Sequence, residues 1–145
     1  AKEAIAAYLC GACAVARGNA AADLAAQRRD AYGHLADLRA RLQHSMAEPP
    51  PAGREAAAWF PLITSAERIG DAITIYSAGS RGNVSAAGGQ ALRRLAALVA
   101  APPEMRTLDD TLAADLPGDG PERQLIDRAI AELTHMGRLS GPAYP

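Results

Sequence analysis

Apolar positions recur at alternating steps of three and four along most of this chain. Ala21, Leu24, Arg28, Ala31, Leu35, Leu38, Leu42 and Ser45 fall on one such stripe, which predicts a long amphipathic helix from Ala20 to Met46. Its opposite face carries Asp23, Gln27, Arg29, Asp37, Arg41 and Gln43, which suits water or a partner. The same spacing at Ile5, Tyr8, Ala12 and Val15 predicts a first helix from Glu3 to Arg17, ended by Gly18 and Asn19. Asn19 is expected to cap the second helix, with Asp23 near its positive N-terminal end. So short a link makes the two helices antiparallel neighbours. Pro49, Pro50 and Pro51 remove backbone donors, so the second helix must stop by Glu48.

A third helix is predicted from Gly53 to Ala78, with Trp59, Leu62, Ala66, Ile69, Ile73 and Tyr76 on its stripe. Pro61 sits inside it, deletes a backbone bond and crowds the carbonyl of Ala57, so a kink or break is expected there. Ala78 to Gly89, AGSRGNVSAAGG, is expected to be a flexible connection between two halves. Leu92, Leu95 and Val99 mark a fourth helix from Ser85 or Gly89 to Ala100, stopped by Pro102 and Pro103. Leu108 and Leu112 are the only anchors for a short fifth between Glu104 and Asp115. Gly120 and Pro121 open a last helix that runs to Gly137, with Ile126, Ala129 or Ile130, Leu133 and Met136 facing inward. The expectation is an all-α antiparallel bundle of four to six helices in one domain over residues 1–138. Within it, 1–78 is the three-helix core, 79–89 a linker and 90–138 the C-terminal helices, with a disordered tail at 139–145.

Composition supports helix over sheet. Of 145 residues, 49% are apolar but only 4% aromatic, and alanine, which loses no side-chain entropy in a helix, dominates. The net charge is -1, so no basic excess points to nucleic acid. The charge-free run Ala56 to Ala66 is interrupted by Pro61 and well short of the roughly 20 apolar residues that span a bilayer. The opening AKEAIAAYLC has neither a signal-peptide pattern nor an initiator methionine and reads as the edge of an excised piece.

Candidate chemistry is sparse. Cys10 and Cys13 share a helix face, but without a second pair or a preceding strand they read as small seam residues, not a zinc or redox site. His34, His44 and His135 are dispersed, and no nucleophile triad, phosphate loop or metalloprotease motif is present. No catalytic residue, cofactor or metal is called for, and the chain is not expected to be an enzyme. Glu67 and Asp71 form an i,i+4 like-charge pair beside Arg68 that needs a cation. Arg28, at a seam position, is the expected partner through a cross-helix ion pair, unless it snorkels out over neighbouring alanines. Trp59 and Phe60 are expected to anchor the core under the proline turn, or else to offer an aromatic surface to a ligand or a membrane interface.

The order of these features resembles the cytoplasmic domain of fusaric acid resistance (FUSC) type inner-membrane proteins, also described as aromatic acid exporters. The likeness rests on RGN after the first helix, AAQRRDAY at Ala25 to Tyr32 and the LxxxMAEPPP ending from Leu42 to Pro51. It continues through AAAWFP at Ala56 to Pro61 and ERIGDAIT at Glu67 to Thr74, and so covers about residues 1–78. The resemblance implies an accessory domain on the cytoplasmic face of a bacterial inner membrane, attached to its own transmembrane segments and concerned with assembly, gating or substrate capture. It further implies aromatic carboxylic acids or similar compounds as cargo, leaves room for a homo-oligomer, and involves no nucleic acid. Arg28, Arg29, Glu48, Trp59, Glu67, Arg68 and Asp71 are then the candidate structural or ligand-contact residues. The alternative is a free-standing ligand-binding or regulatory bundle in which Trp59, Tyr8, Tyr32 and Tyr76 line an aromatic pocket.

Overall fold

A computed structural model describes residues 1–19, 23–79, 84–102, 105–107 and 110–139, and among these the alanine-rich segments punctuated by Gly and Pro fold into helices with no strand. The first helix, α1 (Lys2–Ala16), ends on Gly18 at φ +84, a left-handed conformation that favours glycine. The Asn19 amide then donates to the Ala14 carbonyl at 3.0 Å and the Gly18 amide to that of Val15 at 2.9 Å, so the last turn closes on itself. The second helix, α2 (Leu24–Met46), starts later than the apolar stripe suggests. Its cap is Asp23, whose carboxylate accepts from the Ala26 amide at 2.9 Å, and not Asn19. Residues 20–22 lie outside the described set.

The expected third helix is broken. α3 (Ala52–Ala58) stops at Trp59, and α4 (Phe60–Gly79) starts afresh with Pro61 in its first turn, where the missing N–H costs nothing. α5 (Ala86–Ala100) begins at Ser85, whose hydroxyl accepts from the Gly88 amide at 3.0 Å. Gly88 and Gly89 therefore belong to a helix and are buried, not part of a flexible linker. A Cβ at Gly89 would lie 3.0 Å from the Arg17 Nε, so its smallness lets α1 come close. Of the expected fifth helix, the described residues show a 3-10 turn, Asp110–Ala113, with Leu112 and Leu116 buried beneath it. Leu108 lies outside the described residues, as do 140–145, most of the expected tail. α6 (Pro121–Leu139) closes the chain's described part.

Packing departs further from the expected layout. α1 packs on α5 and α4, α4 on α6, and α6 on α5, so these four enclose the core. α2 lies outside, across α1 and α4. The side chains in contact set the directions: Tyr32 and Arg39 of α2 meet Asp71 and Glu67, and Tyr76 and Arg68 meet Glu122 and Glu132, so α4 runs antiparallel to both α2 and α6. One apolar core runs from Ile5, Tyr8 and Leu9 through Leu35, Ile69 and Ile73 to Leu92, Leu95, Ile126 and Leu133. The helices after the glycine-rich stretch are thus part of the same core as the first three. α2, the longest stripe in the sequence but one interrupted by Arg28 and Ser45, buries only Ala31, Leu35 and Leu42, while Leu38 remains 41% exposed. A helix that covers two others from outside needs only a narrow apolar edge.

Candidate ligand cleft

The side chains of the C-terminal half of α2 and those of α3 enclose a cleft of about 860 Å³ against α1 and α4. α2 contributes Leu35, Leu38 and Leu42, while Leu62, Ile63 and Ile69 of α4 form the opposite wall. Ile5 of α1, Val99 of α5 and Leu133 and Met136 of α6 close the floor. The lining is aliphatic, with one aromatic. That residue is Trp59, whose place at the break between α3 and α4 leaves it 61% exposed at the cleft. It is therefore no core anchor.

Among the described residues, three cationic side chains, Lys2, Arg41 and Arg106, border this cleft, and no Asp or Glu lines it. Arg106 is already engaged, its Nε donating to the carbonyls of Leu98 at 3.1 Å and Ala101 at 3.2 Å, which satisfies the C-terminal end of α5. Arg41 is exposed and Lys2 half-buried. An apolar hollow with positive charge and no negative charge on its walls favours an amphiphilic anion over a neutral or cationic guest.

A polar seam beside the cleft holds α2 in place. The Arg39 Nε donates to Glu67 Oε1 at 2.8 Å, its Nη2 to Oε2, and its guanidinium lies 5.0 Å from the centre of the Phe60 ring. One helical turn spacing further along, the Tyr32 hydroxyl donates to Asp71 Oδ1 at 2.7 Å and lies 3.1 Å from the Thr74 hydroxyl. Tyr8 from α1 reaches the same Thr74 oxygen at 3.0 Å, so three helices meet at this hydroxyl. Partial burial pushes the Tyr32 phenol above its usual range; the bond to Thr74 lowers it, and the neighbouring Asp71 carboxylate raises it again.

These contacts correct the expected ion pair. The cation beside Glu67 is Arg39, and Asp71 is satisfied by Tyr32, while Arg28 points into solvent on the outer side of α2. Arg29 and Glu48 are likewise exposed, apart from both seam and cleft. Arg68 crosses to Glu132 of α6 at 3.4 Å. Of the seven candidate residues, Glu67 and Asp71 share the seam and Trp59 alone lines the cleft. Tyr8, Tyr32 and Tyr76 do not line it, so the expected aromatic pocket is not formed. Sequence reasoning missed Arg39, although it stands four residues after Leu35 and so flanks the buried edge of α2. Lys2 and Arg41 carried no local signal, because only the crossing of α1 and α2 brings them to one cleft.

Cys13 is buried against α5, its thiol 4.0 Å from the Gly89 carbonyl, and burial pushes its pKa up; Cys10 on the same helix is exposed. Among the described residues, no group of three or more His, Cys, Asp or Glu side chains comes together in a way that could hold a metal ion. No helix among them is long and apolar enough to cross a membrane. Compared with protein-family models, curated proteins and solved structures, the chain matches none.

Proposed function

We propose that this domain captures organic acids in the α2–α4 cleft, as the accessory domain of a membrane exporter for aromatic carboxylic acids or similar amphiphilic anions. One observation carries the reading: an aliphatic cleft of about 860 Å³ whose charged side chains, among the described residues, are all cationic. A volume of that order holds a drug-sized ligand. The apolar body of the acid loses water against Leu38, Leu62 and Ile63, and its carboxylate stays at the wet border near Arg41 and Lys2. The exporter context comes from the resemblance of residues 1–78 to the FUSC-type domains, and transport itself would be the work of transmembrane segments. Trp59, the single tryptophan, reports on the cleft without interference from a second indole. Titration with 1-naphthoate should give a saturable change in Trp59 emission, with 1-naphthamide binding more weakly. An emission spectrum that stays flat while circular dichroism shows the helices intact would rule the capture role out.

A further inference from the structure

The walls of the cleft say more about its guest than its charge does. Aromatic pairs gain from offset or edge-to-face packing, yet among the described lining residues the one ring is the exposed indole of Trp59 at the opening. Deeper in, every large contact is a branched or flexible aliphatic side chain: Ile5, Leu35, Ile69, Val99, Leu133 and Met136. These come from five different helices, so the apolar lining continues from the opening in to the core residues of α1, α5 and α6. Its volume also lies near the top of the range for drug-sized ligands, far beyond what a single-ring acid would fill.

We infer that the preferred occupant of the cleft is a free medium-chain or long-chain alkyl carboxylate, with its tail among the aliphatic residues and its head group at Arg41 and Lys2. The inference rests on the capture role proposed above and narrows its substrate class. Each methylene that enters the hollow adds a roughly constant increment of apolar burial, worth about fourfold in affinity. The carboxylate contributes less, because Arg41 is exposed and screened by water, so removing one charge costs about two- to fivefold.

Isothermal titration calorimetry of the full chain with octanoate, decanoate and dodecanoate, below their micelle concentrations, tests this directly. The dissociation constant should fall by about fourfold per added methylene until the hollow is full. Decanol should bind more weakly than decanoate, and Arg41→Gln and Lys2→Gln should each weaken decanoate by about two- to fivefold while leaving decanol unchanged. Both substitutions lie at the border of the cleft, and the series on the unaltered chain stands independently of them. If 1-naphthoate binds and the alkyl acids bind more weakly or without dependence on length, this inference fails while the capture role survives. If neither class binds, both fail. Binding to phosphatidylcholine vesicles without response to the monomeric acids would assign the hollow to a lipid surface and also overturn the inference.

Discussion

Replacing Gly11 with alanine sets three effects against one another on the α1–α2 contact. Gly11 is buried in the middle of α1, and the Gln27 side chain of α2 lies across it: an ideal Cβ there would overlap the Gln27 Oε1 and sit 2.7 Å from its Cδ. Gln27 must therefore swing away. Its Oε1 is buried without a hydrogen-bond partner, so returning that oxygen to water recovers about 1 kcal/mol, taken at the low end for a lone buried acceptor. Alanine in a helix interior adds about 1 kcal/mol over glycine. Against these stand the contacts that the Gln27 stem gives up, about 1 kcal/mol for roughly one buried methylene. The balance predicts that Gly11→Ala stabilises the fold by about 1 kcal/mol, which in a chain of this size raises the melting temperature by about 2–4 °C. Thermal unfolding followed by circular dichroism at 222 nm, with urea titration as a second measure, reads it out. A fall in melting temperature that Gln27→Ala then restores would show that Gln27 is pinned in place and would refute the reasoning.

The remaining expectations concern the seam, the core and the turns. Arg28→Met should leave stability within about 0.5 kcal/mol, as for a surface site, whereas Arg39→Met should lower the melting temperature, and by less at high salt; equal behaviour of the two would contradict the seam. Leu35→Ala should cost about 2–3 kcal/mol by urea titration, at the lower end for a buried leucine because the adjoining cleft admits water, and Leu38→Ala less than about 1 kcal/mol; a reversed order would mean that α2 docks in another register. Gly53→Ala should destabilise, since its Cβ would overlap the Glu48 carbonyl oxygen and lie 3.0 Å from that of Met46, and rigid backbone cannot yield; a melting temperature that holds or rises would contradict this. Stability should also fall in alkali. Cys13 and Tyr32 keep their protons to higher pH when folded than when unfolded, so their contribution is complete below about pH 9 and is lost as pH rises through the folded values. Cys13→Ala and Tyr32→Phe should each flatten the alkaline limb of a urea-midpoint profile, and a profile flat to begin with would contradict both shifts.

The pattern of apolar residues was enough to place nearly every helix, because a three-four stripe is a local property of the chain. Ile5, Tyr8, Ile73, Leu92, Leu95, Ile126 and Leu133 are all buried where the spacing puts them inward. Proline and glycine set the breaks for equally local reasons, at Gly18 through its φ and at Pro61 through its missing donor. The sequence did not say which helix lies at the centre. α2 carries the longest stripe and still lies at the edge: Arg28 and Ser45 interrupt that stripe, and its apolar face is the weakest of the long helices, so it has little to bury. The seam shows the same division: Glu67 and Asp71 visibly required partners, but whether these would be Arg28, Arg39 or Tyr32 depended on the rotation of α2 about its own axis. The cleft was invisible altogether. Its walls come from α1, α2, α4, α5 and α6, and only the packing of these distant segments brings them together.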